Sequence, residues 1–275
     1  MGVLIKIAGA KFVDPYIIDK VDIPEDDPVI PDVPDEPIIP VTIEDYPVQD
    51  TTLKGLYDLG SGEDGTNDSL VNHGDATANT SATEFYGTTH TISEDYVTFN
   101  GNSKQRMLTY LRMPLAKALT TVVLFRVQSG NRVLIGNRNA GTDTWQWGVN
   151  LFNNGVEVGI DGSLHPTGDF TAINSSKDFA ILAMTVDGNG VRVVRYTNGR
   201  LDELLDIDGV VDSWMSSATT GNALAIGGYG ASNGNQSSAD ISLAAIHEGV
   251  LNDDQLESIC EFVELYGKQK GLTIE

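Results

Sequence analysis

A single cysteine, Cys260, in a chain of 275 residues excludes an intramolecular disulfide, so no covalent staple can hold this fold. Cations are scarce as well: 17 Lys and Arg face 39 Asp and Glu, for a formal net charge of −22. A nucleic-acid groove needs clustered cations against phosphate, and an anionic membrane surface needs them for the same reason. Neither partner is expected. No apolar run approaches the roughly 18–20 residues of a membrane span. The opening MGVLIKIAGAKF lacks a positive segment ahead of its apolar residues, and Lys6 interrupts them, so no secretory leader is expected. What remains, 40% apolar and 20% charged, suits a folded protein.

The acids and prolines are unevenly placed. Residues 1–50 hold 12 acids against 3 lysines, a net of −9, and 21–50 hold 10 acids and no base. Eight of the ten prolines fall between Pro15 and Pro47. This composition step divides the chain into an anchoring segment (1–20), an acidic Pro-rich stretch (21–50) and a head (51–275). In the first segment Val3, Ile5 and Ile7 alternate with Leu4, Lys6 and Ala8, as in a short strand, with Phe12 beyond. A lone strand of that length is unstable in water and must pair with another sheet. In the second, Pro28, Pro31, Pro34, Pro37 and Pro40 recur every third residue, one turn of polyproline II. Such a stretch spans roughly 60–80 Å at about 3.1 Å per residue. It is either a solvated spacer or an arm laid along a partner, with Ile30, Val33, Ile38 and Ile39 among its anchors.

After residue 51 the texture changes to short apolar runs separated by Gly, Asn, Ser and Thr. Strands are expected at 96–99, 107–112, 120–128, 132–136, 145–152, 156–160, 179–186, 191–196, 222–226 and 240–247. Turn signals divide them, including Asn154-Gly155, Asp187-Gly188-Asn189-Gly190 and Asn198-Gly199. That many strands without intervening helices predict an all-β sandwich or barrel. One helix closes the chain. Asn252 suits its N-cap, Gln255 completes a capping box, and Leu251 and Leu256 form the staple. Leu256, Ile259, Cys260, Val263 and Tyr266 make its apolar stripe, Gly267 suits the position after its end, and Lys268 and Lys270 complement the dipole. Cys260 on that stripe reads as a core residue, not a nucleophile.

NALAIGGYG (222–230) followed by SADISLAAIHEGVLNDDQLESICEFVELYG (238–267) resembles the end of a concanavalin-A-like, laminin-G-type jelly roll. FAILAMTVDGNGVRVVRYTNGRLDE (179–203) resembles that family's strand–Asp-Gly–strand–Asn-Gly hairpin, and DYVTFNGNSKQRM (95–107) its opening strand. TVVLFRV (121–127) sits where the family has a strand bearing Trp, with Phe125 in its place. The resemblance covers roughly residues 53–270. It implies a jelly-roll β-sandwich with one C-terminal helix.

Some relatives of this fold are glycanases that carry Glu-x-Asp-x-(x)-Glu on one strand, so that alternate carboxylates share a face. That pattern is absent. Asp202, Asp206 and Asp208 in LDELLDID come nearest and read as a solvated face with turn acids, and Glu157 and Asp161 have the wrong spacing. His73, His90, His165 and His247 are scattered with no zinc spacing, and no G-x-S-x-G occurs. The expectation is a protein that is not an enzyme and needs no cofactor. The exception would be a calcium ion at the rim, held by Asp187 and the acids of GEDGTNDS, Asp64 and Asp68 among them. Sugar binding needs an aromatic that stacks on ring CH groups, with amides or Arg for the hydroxyls. Trp145 and Trp147 in TWQWGVN share a face of a strand, which points either into the core or onto such a surface. Asn137 and Arg138 in the preceding loop, and Trp214, Tyr229 and Asn233 in later ones, would complete the rim.

A jelly-roll head on an acidic Pro-rich arm, behind an opening that resembles the LIKIxGAKF starts of some bacteriophage structural proteins, implies a capsid or tail fibre or decoration protein. It would assemble in the bacterial cytoplasm, bind other virion proteins through residues 1–50, form a homo-oligomer (a trimer), and present its head at the virion surface to glycans. The alternatives are a glycan hydrolase with an unusual acid pair and a cement protein that binds no ligand.

Overall fold

A computed structural model describes residues 40–60, 68–79, 81–86, 90–100, 105–111, 118–127, 132–138, 145–152, 155–160, 163–166, 177–208, 224–228 and 238–275. The arm and its anchors Val3, Ile5, Ile7, Phe12, Ile30, Val33, Ile38 and Ile39 lie outside the described residues.

The described strands are β1 (Leu53–Asp58), β2 (Glu84–Tyr86), β3 (Thr91–Ile92), β4 (Val97–Asn100), β5 (Arg106–Leu108), β6 (Ala118–Val127), β7 (Arg132–Arg138) and β8 (Trp145–Phe152). They continue with β9 (Gly155–Ile160), β10 (Ser163–Pro166), β11 (Ala180–Asp187), β12 (Gly190–Thr197), β13 (Arg200–Asp208), β14 (Ala225–Ile226) and β15 (Ser238–Glu248), and α1 (Asp253–Gln269) closes the chain. They form two antiparallel sheets. One has the order β13-β12-β11-β6-β15-β4-β3, with β1 also paired to β15; the other runs β10-β9-β8-β7-β14-β5-β2. Strand β15 is long enough to use both neighbours on one edge: its first residues pair with β4 and its later ones with β1.

The expected β-sandwich with a closing helix is present, and the sequence shows why. In β6, Val123 and Phe125 enter the core between the sheets, while Val122 and Leu124 enter a second core beneath α1. In β11, Leu182 and Met184 face the first core, and Ile181 and Ala183 the second. A strand covered on both faces reads as an unbroken apolar run, which explains TVVLF and AILAM in an antiparallel sheet. Leu256, Ile259, Cys260 and Val263 form the buried stripe of α1. Its N-terminus has the expected capping box: Asn252 Oδ1 accepts from Gln255 N at 2.9 Å, and Gln255 Oε1 accepts from Asn252 N at 3.1 Å. The two-residue loop between β12 and β13 is Asn198-Gly199, both at positive φ (52° and 74°), as a type I′ turn requires.

Four features differ from expectation. Strands β1, β2, β3, β10 and β13 come in addition to those expected; β2 and β3 are too short to show a period, and Gly55 and Lys54 dilute β1. The acidic segment with Asp202, Asp206 and Asp208 is the edge strand β13, where charge protects an open strand from pairing with other chains. Gly267 does not follow the helix but lies inside it, where a Cβ would come within 2.7 Å of Ile274 Cδ1 and 2.8 Å of Leu124 Cδ2. Packing on the sandwich also begins about ten residues before the composition step. Ile43 and Tyr46 are buried in the core under α1, and Val41 N donates to Gln269 Oε1.

Candidate functional site

The residues expected at a glycan rim are partly assembled by the backbone. Trp145 and Trp147 lie on β8, and Asn137 and Arg138 lie on β7 instead of in a loop. Trp147 is registered opposite Asn137 and Trp145 opposite Arg138. One step on β7 thus matches two on β8, leaving Gln146 as a bulge residue. Trp214, Tyr229 and Asn233 lie outside the described residues, as does Asp64. Asp68 opens a short 3-10 turn, Asp68–Leu70.

Asp187 is committed to its own turn: Oδ1 accepts from Asn189 N at 2.7 Å and Gly190 N at 3.0 Å. Among the described residues no three His, Cys, Asp or Glu side chains converge as metal ligands. Two acids of β13, Asp202 and Glu203, are met by arginine. Arg192 bonds Glu203 at 3.2 Å and also Asp253, and Arg200 meets Asp202 at 3.0 Å. His165 lies on β10. The Cys260 thiol is pushed up to about 12 by burial, so it stays protonated and unreactive.

A polar relay ties the segment before β1 to β15. Thr52 N (2.8 Å) and the Thr52 hydroxyl both donate to Asp50 Oδ1. With its proton used there, Thr52 Oγ1 accepts at 3.1 Å from His247 Nδ1–H. The other ring nitrogen, Nε2, then accepts from the Tyr46 hydroxyl at 2.8 Å. One tautomer satisfies all four groups. His247 is fully buried, and burial pushes its pKa down to about 4, against a small opposing pull from Asp50.

The exposed end of this relay opens into a concavity of about 410 Å³ lined by Gln49, Asp50, Thr51, Leu53, Lys54, His73, Gly74 and Asp75. Its floor is β1 and its far wall is the loop 72–75, which Asn72 fixes. Asn72 Oδ1 accepts from Leu56 N and Gly74 N, both at 3.0 Å, while Nδ2 donates to Lys54 O at 2.9 Å and Asn79 Oδ1 at 3.0 Å. Asp75 repeats the geometry of Asp50, because Oδ1 takes Thr77 N at 3.0 Å and the Thr77 hydroxyl. Those hydrogen bonds hold both carboxyls below the usual range, the Thr side chain being the larger cause in each. Lys54 Nζ stands 3.6 Å from Asp75 Oδ2 and 3.7 Å from Glu248 Oε2. This set carries no motif in the sequence. Its one local signal is the repeated Asp-x-Thr, at 50–52 and 75–77, and nothing local says that the two turns meet.

No protein-family model matches the sequence, and no curated protein matches it. Solved structures are similar to it. A mutant of Trypanosoma rangeli sialidase displaying trans-sialidase activity gives a TM-score of 0.54 at 15% identity, covering 78% of this chain and 34% of that one. Domain 4 of AbnA, a GH43 extracellular arabinanase from Geobacillus stearothermophilus in complex with arabinotriose, gives 0.50 at 17% identity, covering 76% of this chain and 98% of that one. A structure concerning botulinum neurotoxin type C, whose cell entry depends on two ganglioside molecules, gives 0.51 at 9% identity, covering 78% and 51%. The chain therefore spans about a third of the sialidase. At these identities the likeness establishes the fold. It also corrects the expectation of a protein that is not an enzyme. Glycoside hydrolases are among the solved structures of similar fold, so the missing Glu-x-Asp-x-Glu pattern does not by itself exclude an enzyme.

Proposed function

We propose that the sandwich of residues 40–275 recognises glycans. The observation that carries this reading is the likeness to an arabinanase domain solved with arabinotriose, which extends over 98% of that domain. The ganglioside-dependent neurotoxin structure supports it from an unrelated setting. Trp145 and Trp147, in register with Arg138 and Asn137, supply the residue types that stack on sugar rings and hold hydroxyls. A glycan array with the full chain tests the reading, and Trp145→Ala with Trp147→Ala should weaken any binding at that face. An array without a single bound glycan refutes it.

A second reading, hydrolysis, is favoured by the sialidase and arabinanase likenesses. Release of reducing sugar from a polysaccharide panel would support it.

As to setting, we take the chain to be a bacteriophage virion protein, a homotrimer displayed at the virion surface. Residues 1–50 would bind other virion proteins, and a calcium ion would sit at the rim near Asp64 and Asp68. The supporting features are the net −9 and eight prolines of the first fifty residues and the opening MGVLIKIAGAKF. Deleting residues 1–39 retains Ile43 and Tyr46 in the core, so the truncated head should fold yet fail to enter particles. Incorporation at the full level would refute the anchoring role.

A further inference from the structure

The concavity beside β1 is built on one sheet, whereas β8, the strand of Trp145 and Trp147, belongs to the other. Its walls are built from backbone that side-chain hydrogen bonds hold in place, so its groups are arranged before any ligand arrives. Two carboxylates, Asp50 and Asp75, each have Oδ1 locked by an Asp-x-Thr turn, which orients the second oxygen. Lys54 brings an ammonium whose contacts with Asp75 and Glu248, at 3.6 and 3.7 Å, are longer than a hydrogen bond. Gln49, whose Nε2 donates to Glu44 O, and His73 complete the lining above the buried Leu53.

We propose that this concavity binds a short segment of neutral sugar, as a second glycan site on the sheet opposite the tryptophans. The inference rests on the glycan-binding reading and names a site and a ligand class for it. The chemistry selects the ligand. Oriented carboxylates only accept hydrogen bonds, and the hydroxyls of a polyol are donors. An ammonium only donates, and ring or hydroxyl oxygens accept from it. One cation cannot cradle a phosphate against two flanking carboxylates, and the excess of negative charge repels sialic and uronic acids. A volume of about 410 Å³ falls within the range of small-ligand sites.

The test is titration of the full chain with arabinotriose, N,N′-diacetylchitobiose and 3′-sialyllactose. Calorimetry gives the affinity, and the ring protons of His73 report the location by NMR. The expected result is binding of a neutral probe with a shift of the His73 resonances. Lys54→Met and Asp75→Asn should each weaken it about tenfold, the loss of one charge-assisted hydrogen bond. Unfolding midpoints near that of the parent show that both variants are folded. Two results overturn the proposal while leaving glycan binding intact: neutral sugar binding that Trp145→Ala and Trp147→Ala abolish and Lys54→Met leaves unchanged, or sialyllactose binding that shifts His73 as strongly as the neutral probes. Absence of binding by all three probes, with an empty glycan array, overturns both the pocket and the reading beneath it.

Discussion

His247 should make this protein acid-sensitive in a defined window. Its ring is fully buried and neutral, with Nδ1–H donating to Thr52 and Nε2 accepting from Tyr46. A proton added at Nε2 would face the Tyr46 hydroxyl proton, and the charge would lie among Tyr46 and the apolar groups under α1. Burial therefore lowers the pKa from 6.5 to about 4. The folded-state value lies below the unfolded one, so the unfolded chain takes up the proton first. The stabilisation is complete above pH 6.5 and is lost as pH falls towards about 4. The gap corresponds to roughly 3 kcal/mol, a large part of the 5–15 kcal/mol that typically holds a domain folded. Other groups must be separated from it. His90, stacked on Phe85, is also pushed down to about 4 by burial and titrates in the same window. Asp50 and Asp75 sit below the usual carboxylate range, so their contributions fade only at lower pH. The assay is urea unfolding at several pH values between about 7 and 4.5, on the parent and on His247→Gln. The variant should be less stable at neutral pH, because glutamine does not span both partners. It should also lose roughly 2 kcal/mol less than the parent between pH 7 and 4.5. Equal losses in both proteins would refute the assignment to His247.

Two further substitutions test the helix. Gly267→Ala gains helix propensity of about 1 kcal/mol but drives a methyl against Ile274 and Leu124; overpacking of that kind costs roughly 1–3 kcal/mol, so thermal unfolding should show net destabilisation, and a rise in midpoint would contradict the close packing. Asn252→Ala removes the acceptor for Gln255 N and should cost about 1 kcal/mol in denaturant unfolding, whereas Asn252→Asp should cost little.

Much of the head is legible locally. Asn252 and Gln255 three apart specify a capping box wherever that helix lies, and Asn198-Gly199 specifies a turn because these residues tolerate positive φ. The runs in β6 and β11 announce strands, since no polar residue interrupts them. The candidate sites are less legible. The two tryptophans are on the expected strand, but the register shift beside them depends on the partner strand β7. Lys54, His73 and Asp75 look like ordinary loop and strand residues until β1 finds β15 and Asn72 folds its loop back upon β1. His247 sits in an apolar strand with no local sign of Tyr46, which is 201 residues away.

By itself, then, the sequence determined the class of the fold, the closing helix, the Asn198-Gly199 turn, and the division between an acidic proline-rich start and a β-rich remainder. These follow from φ/ψ preference, side-chain period and charge, all of which act over a few residues. The tertiary structure decided which strands share a sheet, what packs against Gly267, and where the packed domain begins. It also brought together the carboxylates, ammonium and imidazole of the concavity. Those depend on contacts between residues far apart in the chain, where side-chain shape and burial outweigh any local preference.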